Sequence, residues 1–170
     1  MLPATMCVLS LAAQLWTFAG LWVLLLMPYL TRFHWIKRHF QRGDVNAAKV
    51  IATDPYLVAA FADLSTSGEY FFPVIRILEQ PLDRLGASGF ETGYNMPTVS
   101  LYYGSAAGYK WDSFNPIVAQ CATTDEAEIR RLLEMIPEWQ WALLNEGLFQ
   151  LPQPYRPGLY QISVGPLGEA

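Results

Sequence analysis

The residue types most able to do chemistry are thinly scattered. His34 and His39, the two histidines, are five positions apart. That is about 140° around a helix, whereas a metal-binding pair on one helix needs a spacing of three or four. Cys7 and Cys121 are the two cysteines, and neither belongs to a Cys-x-x-Cys pair, so iron–sulfur and structural zinc sites lack their ligands. Their locations also argue against a disulfide. The stretch Gly104-Ser105-Ala106-Ala107-Gly108-Tyr109-Lys110-Trp111 departs from a phosphate loop in three ways. Three residues rather than four separate the glycines, Tyr109 parts Gly108 from Lys110, and Trp111 stands where Ser or Thr would follow. There is no Gly-x-Ser-x-Gly elbow and no Gly-x-Gly-x-x-Gly. With both histidines close behind an apolar N-terminal run, a Ser–His or Cys–His site further along has no histidine to use. Asp125, Glu126, Glu128, Glu134 and Glu138 suit helix capping and a solvated face better than paired acid–base work. The sequence thus predicts no catalytic residue, no metal site and no cofactor.

Charge placement says more. Of 170 residues, 52% are hydrophobic and 15% charged, against about a quarter charged in soluble domains. Residues 1–31 carry no charge. Residues 32–49 hold Arg32, Lys37, Arg38, Arg42 and Lys49 against Asp44, and the rest of the chain is acidic. One short basic collar is not the broad basic face of a nucleic-acid binder.

The run from Leu2 to Leu30 exceeds the roughly 20 apolar residues needed to cross a bilayer, and predicts a transmembrane helix over 1–31. It lacks the basic n-region of a signal peptide and the arginines of a presequence, so an uncleaved anchor is expected. Tyr29, Phe33 and Trp35 suit an aromatic belt. Cys7, Ser10, Ala13, Gln14, Thr17 and Gly20 fall within an arc of about 140°, a small and weakly polar face suited to packing on another membrane helix. The basic residues follow the run, which places the C-terminal part on the cytoplasmic or matrix side. Residues 32–43 read as a basic amphipathic juxtamembrane helix, with Arg32, Lys37, Arg38 and Arg42 set to meet anionic phospholipid headgroups.

Beyond the collar the reading is mainly α. Residues 44–85 predict a helical region. Asp44 would cap VNAAKVIAT, Asp54-Pro55 would open a helix over PYLVAAFADL, and EYFFPVIRILEQPLDRL would continue to Gly86 with bends at Pro73 and Pro81. Residues 86–122 hold many glycines and tyrosines without a helical period, and predict an extended segment ordered on a neighbouring surface; TVSLYY suggests a short strand without a partner. Residues 123–147 predict a helix kinked at Pro137, with a Thr123–Glu126 capping box and Gly147 just past its end. Residues 148–170 predict an extended, Pro-rich tail.

Together these features predict a non-catalytic accessory subunit of a multi-subunit membrane complex. Its partners would be other membrane subunits and anionic phospholipid, with no nucleic acid. By analogy, the host is expected to be a respiratory or ATP synthase complex of the mitochondrial inner membrane. The alternatives are a membrane-anchored adaptor showing its Pro-rich tail to a soluble partner, and an anchored lipid-handling enzyme, which would need a pocket of convergent polar groups.

Overall fold

Two apolar runs meet at Asp54-Pro55, and in the computed structural model they form a hairpin rather than two helices. β1 spans Asp44–Thr53 and β2 spans Tyr56–Asp63; Thr53 pairs with Tyr56, which leaves Asp54 and Pro55 as a two-residue turn. The structure describes residues 22–24, 26–28, 31, 40, 43–67, 70–85, 89–104 and 108–164. The chain divides into Met1–Arg38 and His39–Ala170. In the first unit, residues 22–24, 26–28 and 31 are helical, and the Thr31 hydroxyl donates to the Met27 and Pro28 carbonyls. Most of the expected span at 1–31 lies outside the described residues. Among the described residues, no helix is long and apolar enough to cross a membrane.

The second unit overturns the mainly α expectation. It holds a six-stranded antiparallel sheet in the order β5-β4-β1-β2-β3-β6, where β3 is Pro73–Glu79, β4 is Asn95–Tyr103, β5 is Ser113–Val118 and β6 is Gly158–Gln161. Two helices follow β5: α1, Glu126–Met135, and α2, Glu138–Gln150. Three segments need correction. Residues 44–85 form β1, β2 and β3 with a short 3-10 turn at Leu82–Leu85, not helices. Residues 86–122 carry β4 and β5, so TVSLYY has a partner on each side, in β1 and β5. The Pro-rich tail contributes β6, paired with β3.

Burial on both sides of the sheet explains the misreading. Along β2, and along β1 up to the bulge after Val50, even-numbered positions point to one face, with Ala48, Val50, Val58, Ala60 and Ala62 packed around Leu82, Phe90, Met96, Phe114 and Val118. Odd-numbered positions point to the other, where Ala47, Leu57, Ala59 and Phe61 meet Leu143, Leu144 and Leu148 of α2. A strand covered on both faces loses its polar alternation and reads as a continuous apolar run. In β2 every residue from Leu57 to Ala62 is buried. Alanine favours helices intrinsically, but here Ala48 and Ala60 face each other in the ladder, where small side chains let the sheet curl into a half-barrel.

Arg76 ties that curl together. It sits on β3, yet its guanidinium donates to Ser113 Oγ at 2.7 Å, the Phe114 carbonyl at 2.8 Å and Tyr103 Oη at 3.3 Å. β3, the strand next to one margin, thus grips β4 and the opposite margin, β5, across the enclosed face.

Prolines occupy positions where a missing N–H does no harm. Pro73 opens β3 and precedes the β3–β6 ladder. Pro97 pairs with β1 just before the β4–β5 ladder begins at Thr98. Pro116 lies in edge strand β5.

The helix N-terminus is capped by Asp125, whose side chain accepts from the Ala127 N–H, while Thr123 Oγ1 accepts from the Asp125 N–H; no Thr123–Glu126 box forms. Gly147 lies inside α2 and is buried. A Cβ there would come within 2.6 Å of Ile75 Cδ1 and 2.8 Å of Ile162 Cδ1, so its role is close approach of α2 to the sheet rather than termination.

Candidate functional site

The β1–β2 ladder runs from Thr53 and Tyr56 only as far as Ala48 and Ala60. Beyond that point Asp44–Ala47 pair with β4, and Phe61–Asp63 pair with β3. The sheet therefore splits at this end. The split is a cleft of about 300 Å³ lined by Asp44, Val45, Asn46, Asp63, Ser65, Tyr102, Trp111, Trp139 and Gln140.

Each wall has a local cause. The parted strands leave backbone groups without a sheet partner, and such groups must be satisfied otherwise. Gln140, in the first turn of α2, does so for Ala47: its Oε1 accepts the Ala47 N–H at 3.2 Å. We expect Gln140→Met to orphan that buried N–H and cost about 1–2 kcal/mol, read by urea unfolding, with faster amide exchange at Ala47. Asp63 ties down the turn that follows β2. Its Oδ1 accepts from the Ser65 N–H at 3.0 Å and the Phe72 N–H at 2.8 Å, and its Oδ2 accepts from Ser65 Oγ at 2.6 Å. Trp139 is held edge-on by Phe61 and Phe71, with centroids 5.9 and 6.2 Å away, and nearly half of it stays exposed. Trp111 is anchored by its backbone N–H, which donates to the Leu64 carbonyl at 2.7 Å.

Asn46 is only 3% exposed. Its Nδ2 donates to Tyr102 Oη at 3.4 Å, while its Oδ1 has no partner among the described residues. Ser100, the register partner of Asp44, is fully buried and its Oγ also lacks a partner. Burial pushes the Tyr102 phenol up to about 12, helped by the negative charges of Asp44 and Asp63 and opposed by the Asn46 hydrogen bond. Tyr103, one residue on, moves the other way because Ser113 and Arg76 hydrogen-bond to its oxygen. A raised phenol pKa means the folded chain holds that proton more tightly than the unfolded one. Its contribution to stability is complete below pH 10 and is lost between pH 10 and about 12. Tyrosinate absorbance should show Tyr103 ionising before Tyr102, and Tyr102→Phe should remove the later step.

This constellation was not anticipated. By sequence alone Asp44 reads as a helix cap and Tyr102 falls in a strand without a partner. The one available signal was the reach of the register, since the lining comes from residues 44 to 140. The expected packing face Cys7, Ser10, Ala13, Gln14, Thr17 and Gly20, and the expected headgroup contacts Arg32, Lys37, Arg38 and Arg42, lie outside the described residues. So do His34 and His39. Among the described residues no group of three His, Cys, Asp or Glu side chains could hold a metal.

Comparison with known proteins bears on the fold. No curated protein matches the chain. The crystal structure of a putative membrane protein from Corynebacterium diphtheriae is similar, with a TM-score of 0.58 and 20% sequence identity, over 70% of this chain and 100% of that one. At that identity the likeness concerns the fold alone. A family model, described as protein of unknown function (DUF3239), matches residues 32–151, the stretch from the basic collar to the end of α2. The chain belongs to the DUF3239 family.

Proposed function

We propose that the chain is a membrane-attached, non-catalytic accessory subunit of a larger membrane assembly, with the sheet domain as its binding module. The observation that carries this reading is the charge-free run of residues 1–31 placed directly ahead of the collar. Its length suits a single span, and the collar would hold the sheet domain on the cytoplasmic or matrix side. The small face from Cys7 to Gly20 would pack on a neighbouring helix, with Gln14 seeking a hydrogen-bond partner there. Arg32, Lys37, Arg38 and Arg42 would meet anionic phospholipid. The structural relative's description as a putative membrane protein supports the membrane setting. Nothing in the comparisons points to a mitochondrial complex, so the proposal names no host.

The adaptor alternative rested on a displayed tail. Here β6 pairs with β3 and Leu151 and Ile162 are buried, so the tail belongs to the domain, which favours the subunit reading. The test is extraction in mild detergent followed by native electrophoresis. Co-migration with a larger species supports the proposal, and a band at the size of one chain plus micelle overturns it. Gln14→Leu should weaken the association while leaving membrane insertion intact.

A further inference from the structure

The cleft between the parted strands is rich in acceptors, and no Lys or Arg is among the described residues that line it. The Asp44 backbone belongs to the β1–β4 ladder, but its carboxylate makes no hydrogen bond or ion pair among the described residues. Asp63 has spent three of its roughly four acceptor positions. Asn46, a residue only 3% exposed at the cleft wall, bonds to Tyr102 through Nδ2 and leaves its Oδ1 without a partner among the described residues. Among the described residues, three cations of the surrounding strands and loops are engaged elsewhere. Arg76 grips β5, Lys49 donates to Asn145, and Lys110 lies 5.6 Å over the Phe72 ring; none lines the cleft. Two carboxylates, an open amide oxygen and two indoles call for a positively charged group with several donors. Indole faces attract ammonium groups through their quadrupole.

We propose that this cleft binds a primary ammonium group on a short alkyl chain, the chemistry shared by free ethanolamine and by an ethanolamine phospholipid headgroup. Three N–H donors match Asp44, the remaining lone pair of Asp63 and Asn46 Oδ1. A quaternary ammonium has no such donors and would leave those acceptors unanswered. Calcium and magnesium take about six or more oxygen ligands, more than Asp63 and Asp44 can spare. The volume equals roughly ten waters, the scale of a small headgroup. The inference rests on reading the sheet domain as a binding module.

The test uses the full chain in maltoside micelles, titrated with ethanolamine and followed by calorimetry and by the indole N–H signals of Trp111 and Trp139. Saturable binding that moves both indoles is expected, weakened about tenfold or more by Asp44→Asn. Tyr102→Phe, which keeps the ring, gives a second reading should Asp44→Asn disturb the fold; it should weaken binding by a few fold. Tetramethylammonium and acetate should compete poorly. A parallel arm places the chain in nanodiscs of phosphatidylcholine with and without phosphatidylethanolamine. Indole shifts that require the ethanolamine lipid assign the headgroup as the source, and binding of free ethanolamine without that selectivity assigns the soluble amine. The proposal is overturned by no saturable binding in either arm, by unchanged affinity in both variants, or by acetate competing as well as ethanolamine. A chain that binds ethanolamine yet runs as a monomer on the native gel would retain the ligand and overturn the assembly; an assembled chain indifferent to ethanolamine would do the reverse.

Discussion

Phe61→Ala should cost the sheet domain about 4 kcal/mol, the usual scale for truncating a fully buried aromatic ring. Phe61 is 0% exposed and lies in the layer between β2 and α2. Its loss would leave a cavity that Leu143 and Leu144 cannot fill without α2 shifting. The variant should also report on the cleft, because Phe61 holds Trp139 edge-on. The expected result is a lower urea midpoint together with a changed near-ultraviolet dichroism, and an unaltered midpoint would show that α2 does not seal this face. Phe61→Leu refills part of the volume and should recover more than half of the loss.

Arg76→Met is expected to cost about 3 kcal/mol. The guanidinium makes two short hydrogen bonds and one longer one to groups of β4 and β5, and bonds to a charged donor are each worth about 1.5–3 kcal/mol, less where solvent reaches them. Methionine keeps much of the stem and removes the fork. Arg76→Lys should recover only part of the loss, since one ammonium cannot reproduce a rigid planar donor set. A second readout separates loss of this tie from general damage. Tyr103 owes part of its lowered pKa to Arg76, so its ionisation should move to higher pH in Arg76→Met while Tyr102 stays high. Thermal unfolding should fall by about 10 °C.

Local chemistry was legible in the sequence where it acts over a few residues. Asp125 and Thr123 lie where α1 begins, although Asp125 rather than Thr123 supplies the cap. The strands were hidden for a physical reason. DVNAAKVIAT and YLVAAFAD are buried on both faces, so the period of two is erased and alanine's helical bias fills the gap. Two local signals pointed the other way. Asp-Pro between apolar runs favours a turn, and the β-branched pairs in Val50-Ile51 and Val74-Ile75 favour strands. The cleft was beyond reach for a different reason. Asp44, Tyr102 and Gln140 come together only through the β1–β4 register and the packing of α2, neither of which leaves a local trace. The absence of familiar motifs was visible, but the cleft is built from common residues brought together by a sheet that fails to close.

The placement of prolines in this sheet bears on how the chain behaves in company. A sheet with two free margins can recruit strands from other molecules and polymerise. Here one margin is β5, interrupted by Pro116, and the other is the four-residue β6, which follows Pro157 directly. Neither offers a long, regular row of donors and acceptors. At high local concentration, copies of this domain can crowd side by side without templating one another's aggregation.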